Sequence, residues 1–132
     1  MSGNDKPPFG IPRIIDLLEK PLLDKLIKNN EKIDGAGESE IYEIGAAKHV
    51  DVLIYVGAAT GSPSITFHLQ VIEPTSGKVI RTYDGSQLTA EGADYITVDG
   101  LTLGTHVKVT WDGTLDSSNY FSGCFVRIVA KR

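Results

Sequence analysis

The sequence predicts a mainly β protein, an antiparallel β-sandwich or jelly roll preceded by an N-terminal arm and one or two short helices. From about residue 39 onward, apolar residues recur with a period of two, which is typical of half-buried strands. Turn signals such as Asp-Gly and Pro-Thr-Ser-Gly separate these runs. No helical pattern falls between the strands, which argues against a parallel sheet built from βαβ units.

Composition narrows the class of protein. The chain has 132 residues, of which 41% are hydrophobic and 23% charged, as in a globular domain with its own core. Its net charge of -4 argues against binding to duplex nucleic acid. No apolar run is long enough to span a bilayer, and the first ten residues do not resemble a secretory signal. We therefore expect neither a nucleic acid nor a membrane as a partner.

The chain divides into three segments. Residues 1–10 are polar and rich in proline and glycine, which predicts a flexible arm. Residues 11–37 are predicted to form a helical segment, interrupted at Pro21, and a linker, because apolar residues recur there at helical spacing. These apolar residues are Ile11, Ile14, Ile15, Leu18, Leu22, Leu23, Leu26 and Ile27. Residues 38–132 are predicted to form the sandwich.

The apolar stripe of the helical segment is the strongest functional candidate. A helix this short is not stable alone in water, so its apolar side must be buried. It can pack on its own sandwich, on a sister subunit or on a larger partner. A membrane surface suits it less well, because its polar face is balanced in charge rather than basic.

Seven strands are predicted within the sandwich. Residues 65–71 show the clearest alternation of apolar and polar positions. The last run is apolar on both faces, which predicts a central strand. The predicted strands cover residues 39–44, 50–56, 65–71, 78–83, 93–98, 107–111 and 120–130.

The sequence contains only weak indications of a metal site. His68 and His106 lie on the polar sides of two strands, where they could share a metal if the strands were neighbours, although two unrelated surface histidines fit the pattern better. Five aspartates in or near turns could bind calcium, yet Asp-Gly is first of all a turn signal. These are Asp84, Asp94, Asp99, Asp112 and Asp116. We expect no metal and no cofactor.

Catalytic and sugar-binding sites are also weakly indicated. No nucleophile motif surrounds any serine, so no catalytic residue is predicted. Cys124, the single cysteine, excludes an intrachain disulfide and is expected to be a small buried residue. A sugar could stack on an aromatic platform formed by Trp111, Tyr83, Tyr95 and Tyr120, but the alternation of Trp111 with Val107 and Val109 favours the core for that residue.

A resemblance to a known family rests on three stretches of the sequence. Residues 52–56 form an apolar strand, residues 59–64 a turn of the Gly-Thr-Ser-Pro-Ser kind, and residues 65–70 an alternating strand. Residues 104–111 give a glycine followed by a Val-x-Val-x-Trp strand, and residues 125–132 an apolar strand with a basic end. Over residues 50–132 the sequence resembles small tailed-bacteriophage virion proteins, described as head decoration or minor structural proteins. Residues 73–77 depart from the Asp-Asp-Gly…Trp turn common in that family, and the predicted helical segment has no counterpart.

The resemblance implies a non-enzymatic structural protein of the virion. It would be made in the host cytoplasm, bind the lattice of the major capsid protein at the capsid surface and act as a homotrimer. We expect the apolar stripe of residues 11–27 to make the contact with a neighbouring subunit or the capsid protein. The alternative is a monomeric carbohydrate-binding sandwich, which requires an exposed Trp111.

Overall fold

A computed structural model describes residues 21–100 and 104–132. These ranges are mainly β-strand and contain no helix, so none that could cross a membrane. The strands of the described ranges are β1 Leu23–Ile33, β2 Gly37–Glu38, β3 Tyr42–Glu43, β4 His49–Val56, β5 Ala59–Thr60, β6 Thr66–Ile72, β7 Val79–Asp84, β8 Gly92–Asp99, β9 His106–Asp112 and β10 Tyr120–Lys131.

The strands form two antiparallel sheets. Sheet A has the order β1-β10-β4-β8, with the short β5 paired to β10. Sheet B has the order β2-β9-β6-β7, with β3 also paired to β9. The pairs are nested in the sequence. The hairpin β6–β7 is innermost, β4 pairs with β8 around it, β2 and β3 pair with β9, and β1 pairs with β10.

The inner faces of the two sheets form one hydrophobic core, as in a β-sandwich. Strand β4 supplies every second residue, from Val50 to Val56, and each of these four is buried. Strand β6 does the same with Phe67, Leu69 and Val71. Because successive side chains of a strand point to opposite faces, the alternation in the sequence gives each of these strands one buried and one outward face.

Most of the predicted strands are confirmed. The runs predicted at 50–56, 65–71, 78–83, 93–98, 107–111 and 120–130 correspond to β4, β6, β7, β8, β9 and β10. The last is central, as its apolar residues on both faces indicated, because β10 lies between β1 and β4. The run predicted at 39–44 is strand only over β3, Tyr42–Glu43, and it follows the short strand β2; both short strands pair with β9.

The helix predicted to contain Leu22, Leu23, Leu26 and Ile27 is wrong. Leu23–Ile33 is strand β1, the edge of sheet A, and it pairs with β10 along its length. The spacing misled because residues four apart lie on one face of a helix and also on one face of a strand. Sheet A therefore begins within the segment expected to be helix and linker. The arm at 1–10 and the stripe residues Ile11, Ile14, Ile15 and Leu18 lie outside the described residues.

Candidate functional site

The outer face of sheet A carries a row of side chains that crosses all four main strands. Leu26 of β1 lies opposite Arg127 of β10, which lies opposite Leu53 of β4, which in turn lies opposite Tyr95 of β8. Arg127 is not a free charge in this row, because its Nη1 donates a hydrogen bond of 2.5 Å to Asp24 Oδ1. The rest of the row presents apolar or aromatic surface to solvent.

A second apolar row lies beside the first. Phe125 of β10 is opposite Tyr55 of β4, and their ring centroids are 6.5 Å apart in a tilted arrangement. The Tyr55 hydroxyl donates a hydrogen bond to Glu91, and this bond raises the pKa of Tyr55 above its usual value. A shallow depression of about 330 Å³ lies here, with Leu26, Leu53, Tyr55 and Phe125 among its walls.

We call Leu26, Leu53, Tyr55, Tyr95 and Phe125 the outer apolar patch. Each of these side chains is at least 38% exposed, and Tyr95 is 68% exposed. Large apolar residues grouped on one rigid face are unusual in a protein that acts alone, whereas single exposed ones are common. The patch is therefore a candidate contact surface.

The outer face of sheet B provides an internal comparison. The half-buried outward positions of its central strands β6 and β9 are polar. They are Thr66, His68, Gln70, His106, Lys108 and Thr110. The outward faces of the central strands are therefore polar on sheet B, whereas those on sheet A carry an apolar cluster.

A polar cluster adjoins the outer apolar patch on sheet A. His49 lies between two carboxylates, bonded to Asp99 through Nδ1 and 2.8 Å from Asp51 Oδ2 through Nε2. Thr97 donates a bond of 2.7 Å to the other Asp51 oxygen. The hydrogen bonds with Asp99 and Asp51 raise the pKa of His49. Burial acts to raise the pKa of Asp51, but the bonds from Thr97 and His49 outweigh it and lower that pKa.

His68 has a similar arrangement on the outer face of sheet B. Its Nδ1 is 2.6 Å from Asp84 Oδ1 on β7, and its Nε2 is 3.2 Å from Asp112 Oδ1 at the end of β9. Burial acts to lower the pKa of His68, but the hydrogen bonds with the two carboxylates outweigh it and raise the pKa. Both ring nitrogens are thus used within the protein.

The strand register does not bring His68 and His106 together at a metal site. The two residues are on paired strands, but His68 lies opposite Thr110, four positions along β9 from His106. At about 3.3 Å per residue, this offset separates the two rings too far for one metal ion. In residues 21–100 and 104–132, no group of three or more His, Cys, Asp or Glu side chains could hold a metal.

The five aspartates considered for calcium are dispersed. Asp84 and Asp112 contact His68, and Asp99 contacts His49. Asp94 accepts a hydrogen bond of 2.8 Å from the amide of Ser86, in the loop that follows β7. Asp116 accepts hydrogen bonds from the amides of Ser118 and Asn119 and from the Asn119 side chain, which lower its pKa and order a tight turn. Their contacts are those of local turns and ion pairs.

Trp111 and Cys124 belong to the core, as the alternation indicated. Trp111 is 6% exposed, packs against Phe67 with ring centroids 5.9 Å apart, and donates a hydrogen bond to the Gly35 carbonyl. Cys124 is fully buried on β10, and burial raises the pKa of its thiol. Neither side chain is placed to meet a ligand on the surface.

The described residues of the predicted contact stripe separate into two groups. Leu22 and Leu26 are 39% and 40% exposed, and Leu26 belongs to the outer apolar patch. Leu23 and Ile27 are half-buried and pack against the core. Among the described stripe residues, only Leu22 and Leu26 remain available to a partner.

Of the other four members of the patch, the sequence indicated Tyr95 only as part of a sugar platform. It did not single out Leu53, Tyr55 or Phe125, although a signal was present. Residues 52–56 are apolar without interruption, and residues 124–126 are similar. In a strand, such a run places apolar side chains on both faces, so one set faces away from the core. What the sequence lacked was the order of the strands, which brings Leu53, Tyr95 and Phe125 together.

The chemistry of this face is that of association. An apolar surface on a rigid sheet can bury the apolar side chains of another segment or chain without first becoming ordered. No protein family profile and no curated protein matches this sequence.

Proposed function

We propose that this protein is a non-enzymatic structural protein of a bacteriophage virion, a decoration protein that binds the lattice of the major capsid protein. The observation that carries the proposal is the outer apolar patch. A rigid, exposed apolar face is suited to repeated contact with other protein surfaces, and many weak contacts of this kind stabilise a shell collectively. The protein would be made in the host cytoplasm and act at the capsid surface.

The strand order supports the same proposal. Nested pairing of the first strand with the last, and so inward to a central hairpin, is the order of a jelly roll. Jelly rolls occur in viral capsid proteins, and also in lectins and other proteins, so the order is compatible with the proposal without selecting it. The apolar face supports association with another protein surface, which the proposal requires.

The proposed assembly is a homotrimer, in which the N-terminal segment contacts a neighbouring subunit or the capsid protein. Leu26 of β1 belongs both to this expected contact and to the outer apolar patch. The contact surface would therefore continue from β1 across the outer face of sheet A. Every copy then presents the same surface, as a symmetric assembly requires.

The alternative, a monomeric carbohydrate-binding module, has lost its main support. It depended on an exposed Trp111, and that side chain is 6% exposed. The patch carries the exposed rings Tyr55, Tyr95 and Phe125, but Tyr95 is the only one of them expected to form the sugar platform with Trp111. Protein association accounts for the patch better.

The proposal is tested by binding to capsids. Empty capsids would be prepared from the major capsid protein encoded in the same genome, incubated with the full chain and pelleted. We expect the protein to pellet with them, Leu53→Asp to remain in solution, and Ile80→Asp to pellet normally. Ile80 is a matched control because it is an exposed apolar residue, 65% accessible, on β7 of sheet B.

Light scattering on the same samples gives the native mass in solution, where three chains are expected. Failure of the full chain to pellet, equal binding by Leu53→Asp and Ile80→Asp, or a genome without a major capsid protein would each contradict the proposal. A shift of the Trp111 emission on addition of sugar would favour the alternative.

A further inference from the structure

The outer apolar patch lies next to the point where the undescribed N-terminal residues join sheet A. Strand β1 is the edge of that sheet, and residues 1–20 precede it directly. The Leu22 amide already donates a hydrogen bond of 2.7 Å to the Ala130 carbonyl. Leu22 and Leu26 carry exposed apolar surface from this junction towards the patch. A segment that continues the apolar character of β1 therefore starts beside the patch.

Residues 11–20 have the composition that the patch requires. Ile11, Ile14, Ile15 and Leu18 supply branched apolar side chains, the kind that bury against Leu26, Leu53 and Tyr95. The charged residues of 11–20, two basic and two acidic, leave no net charge. Arg127 is the basic residue in the row that contains Leu53, and its charge is neutralised by Asp24. A neutral segment is therefore suited to this patch. Charge thus favours this occupant over a basic or acidic peptide.

We infer that the apolar stripe Ile11, Ile14, Ile15 and Leu18 of one copy docks on the outer apolar patch of a second copy. The inference rests on the proposed function, in which copies of the chain contact one another, and it names the surface on each side of that contact.

The local sequence favours a neighbouring copy over the same chain. Leu22 directly precedes β1, and β1 then leads to Leu26, which belongs to the patch. To cover its own patch, the chain must therefore reverse direction between Leu18 and Leu22. Of the intervening residues Glu19, Lys20 and Pro21, only Pro21 is favoured in turns, and none is the glycine or asparagine that a tight two-residue reversal prefers. A residue before proline also favours extended backbone over the α region.

The contact has a consequence for symmetry. A stripe that docks on a patch joins two different surfaces, so each copy donates one stripe and receives another. Such head-to-tail contacts close into a ring when the rotation between copies allows it, and a trimer is one such ring. Each subunit would then be held through two contacts.

Cysteine pairing between two differently tagged chains tests the inference. One chain carries Ile14→Cys and the other carries Tyr95→Cys on the patch. The natural Cys124 is fully buried and does not interfere. The control partner carries Ile80→Cys, because Ile80 and Tyr95 are 65% and 68% exposed. After mild oxidation, the mixed pair is measured on a denaturing gel without reductant. We expect at least about tenfold more mixed pair with Tyr95→Cys, since a docked stripe raises the local thiol concentration.

The other outcomes each overturn the inference. Equal or no pairing with Tyr95→Cys and Ile80→Cys means that the stripe does not dock on the patch. A link formed only within one chain, in the double variant Ile14→Cys/Tyr95→Cys, means that each chain covers its own patch. Predominant pairing between two Tyr95→Cys chains means that patches pair face to face. Because capsids are absent, the result is independent of capsid pelleting, and failure of either test is distinguishable from failure of the other.

Discussion

Trp111 lies directly against the backbone of Gly37, where the short strand β2 pairs with β9. A methyl group placed on Gly37 would come within 2.8 Å of the Trp111 ring. Because the ring also packs on Phe67 and is held by a bond to the Gly35 carbonyl, it cannot move aside without disturbing the core. We expect Gly37→Ala to lower the free energy of unfolding by about 1–3 kcal/mol, as in other overpacked cores.

Gly35→Ala is the matched control, because a methyl group at Gly35 would meet nothing within 4 Å. Urea unfolding followed by Trp111 fluorescence measures both variants. Similar midpoints for the two variants would mean that the ring has room to adjust.

The thiol of Cys124 is expected to be inert in the folded protein. It is fully buried on the central strand β10, and burial raises its pKa, which disfavours the reactive thiolate. A chromogenic disulfide reagent should therefore react with it only in denaturant, or at the rate of unfolding. Rapid reaction of the native protein would contradict the burial of Cys124 in the core between the two sheets.

The two carboxylates around His68 make stability depend on pH. They raise the pKa of His68 in the folded state, although burial opposes them. Folding therefore gains free energy from the charged ring at pH values below the ordinary histidine pKa, and loses this gain as pH rises through the folded-state pKa. We expect the unfolding midpoint to fall as pH rises above about 6.5, the ordinary histidine pKa, and to fall less in His68→Gln.

His106→Gln is the control for this effect, because the His106 ring contacts the Thr105 hydroxyl. It should retain the pH dependence of the parent protein. His49, which lies between Asp51 and Asp99, acts in the same direction as His68. The slope in His68→Gln should therefore be reduced rather than abolished, and an unchanged slope would exclude His68 as a source.

Alternation sufficed to locate the strands that have one buried and one polar face. Strand β6 reads Phe67, Leu69 and Val71 inward with polar residues between, and a strand of this pattern can be assigned without knowing its neighbours. The position of a strand within a sheet cannot be assigned in this way, because it depends on pairings between residues far apart in the sequence. The outer apolar patch could not be recognised in advance because its members come from four strands joined by such pairings.

Strand β1 shows where periodicity itself was ambiguous. Leu22 and Leu26, and likewise Leu23 and Ile27, are four residues apart, a spacing that fits both a helix and a strand. The pairing with β10 shifts register after Leu26 and again after Asn29, so the strand does not keep a strict period of two. Its long pairing with β10 outweighs local propensity, and this pairing is invisible in the local sequence.

Asn30 has positive φ, 55°, at the second of these register shifts. It is the residue that bulges out between Asn29 and Glu31, and in a bulge of this kind a left-handed backbone is tolerated by asparagine and glycine but opposed by branched side chains. We expect Asn30→Val to lower the free energy of unfolding by about 1–3 kcal/mol, the usual cost of such strain. Asn30→Gly should preserve it, since glycine adopts this conformation freely. Urea unfolding of the two variants distinguishes backbone strain from loss of the asparagine side chain, because the second cause would destabilise both equally.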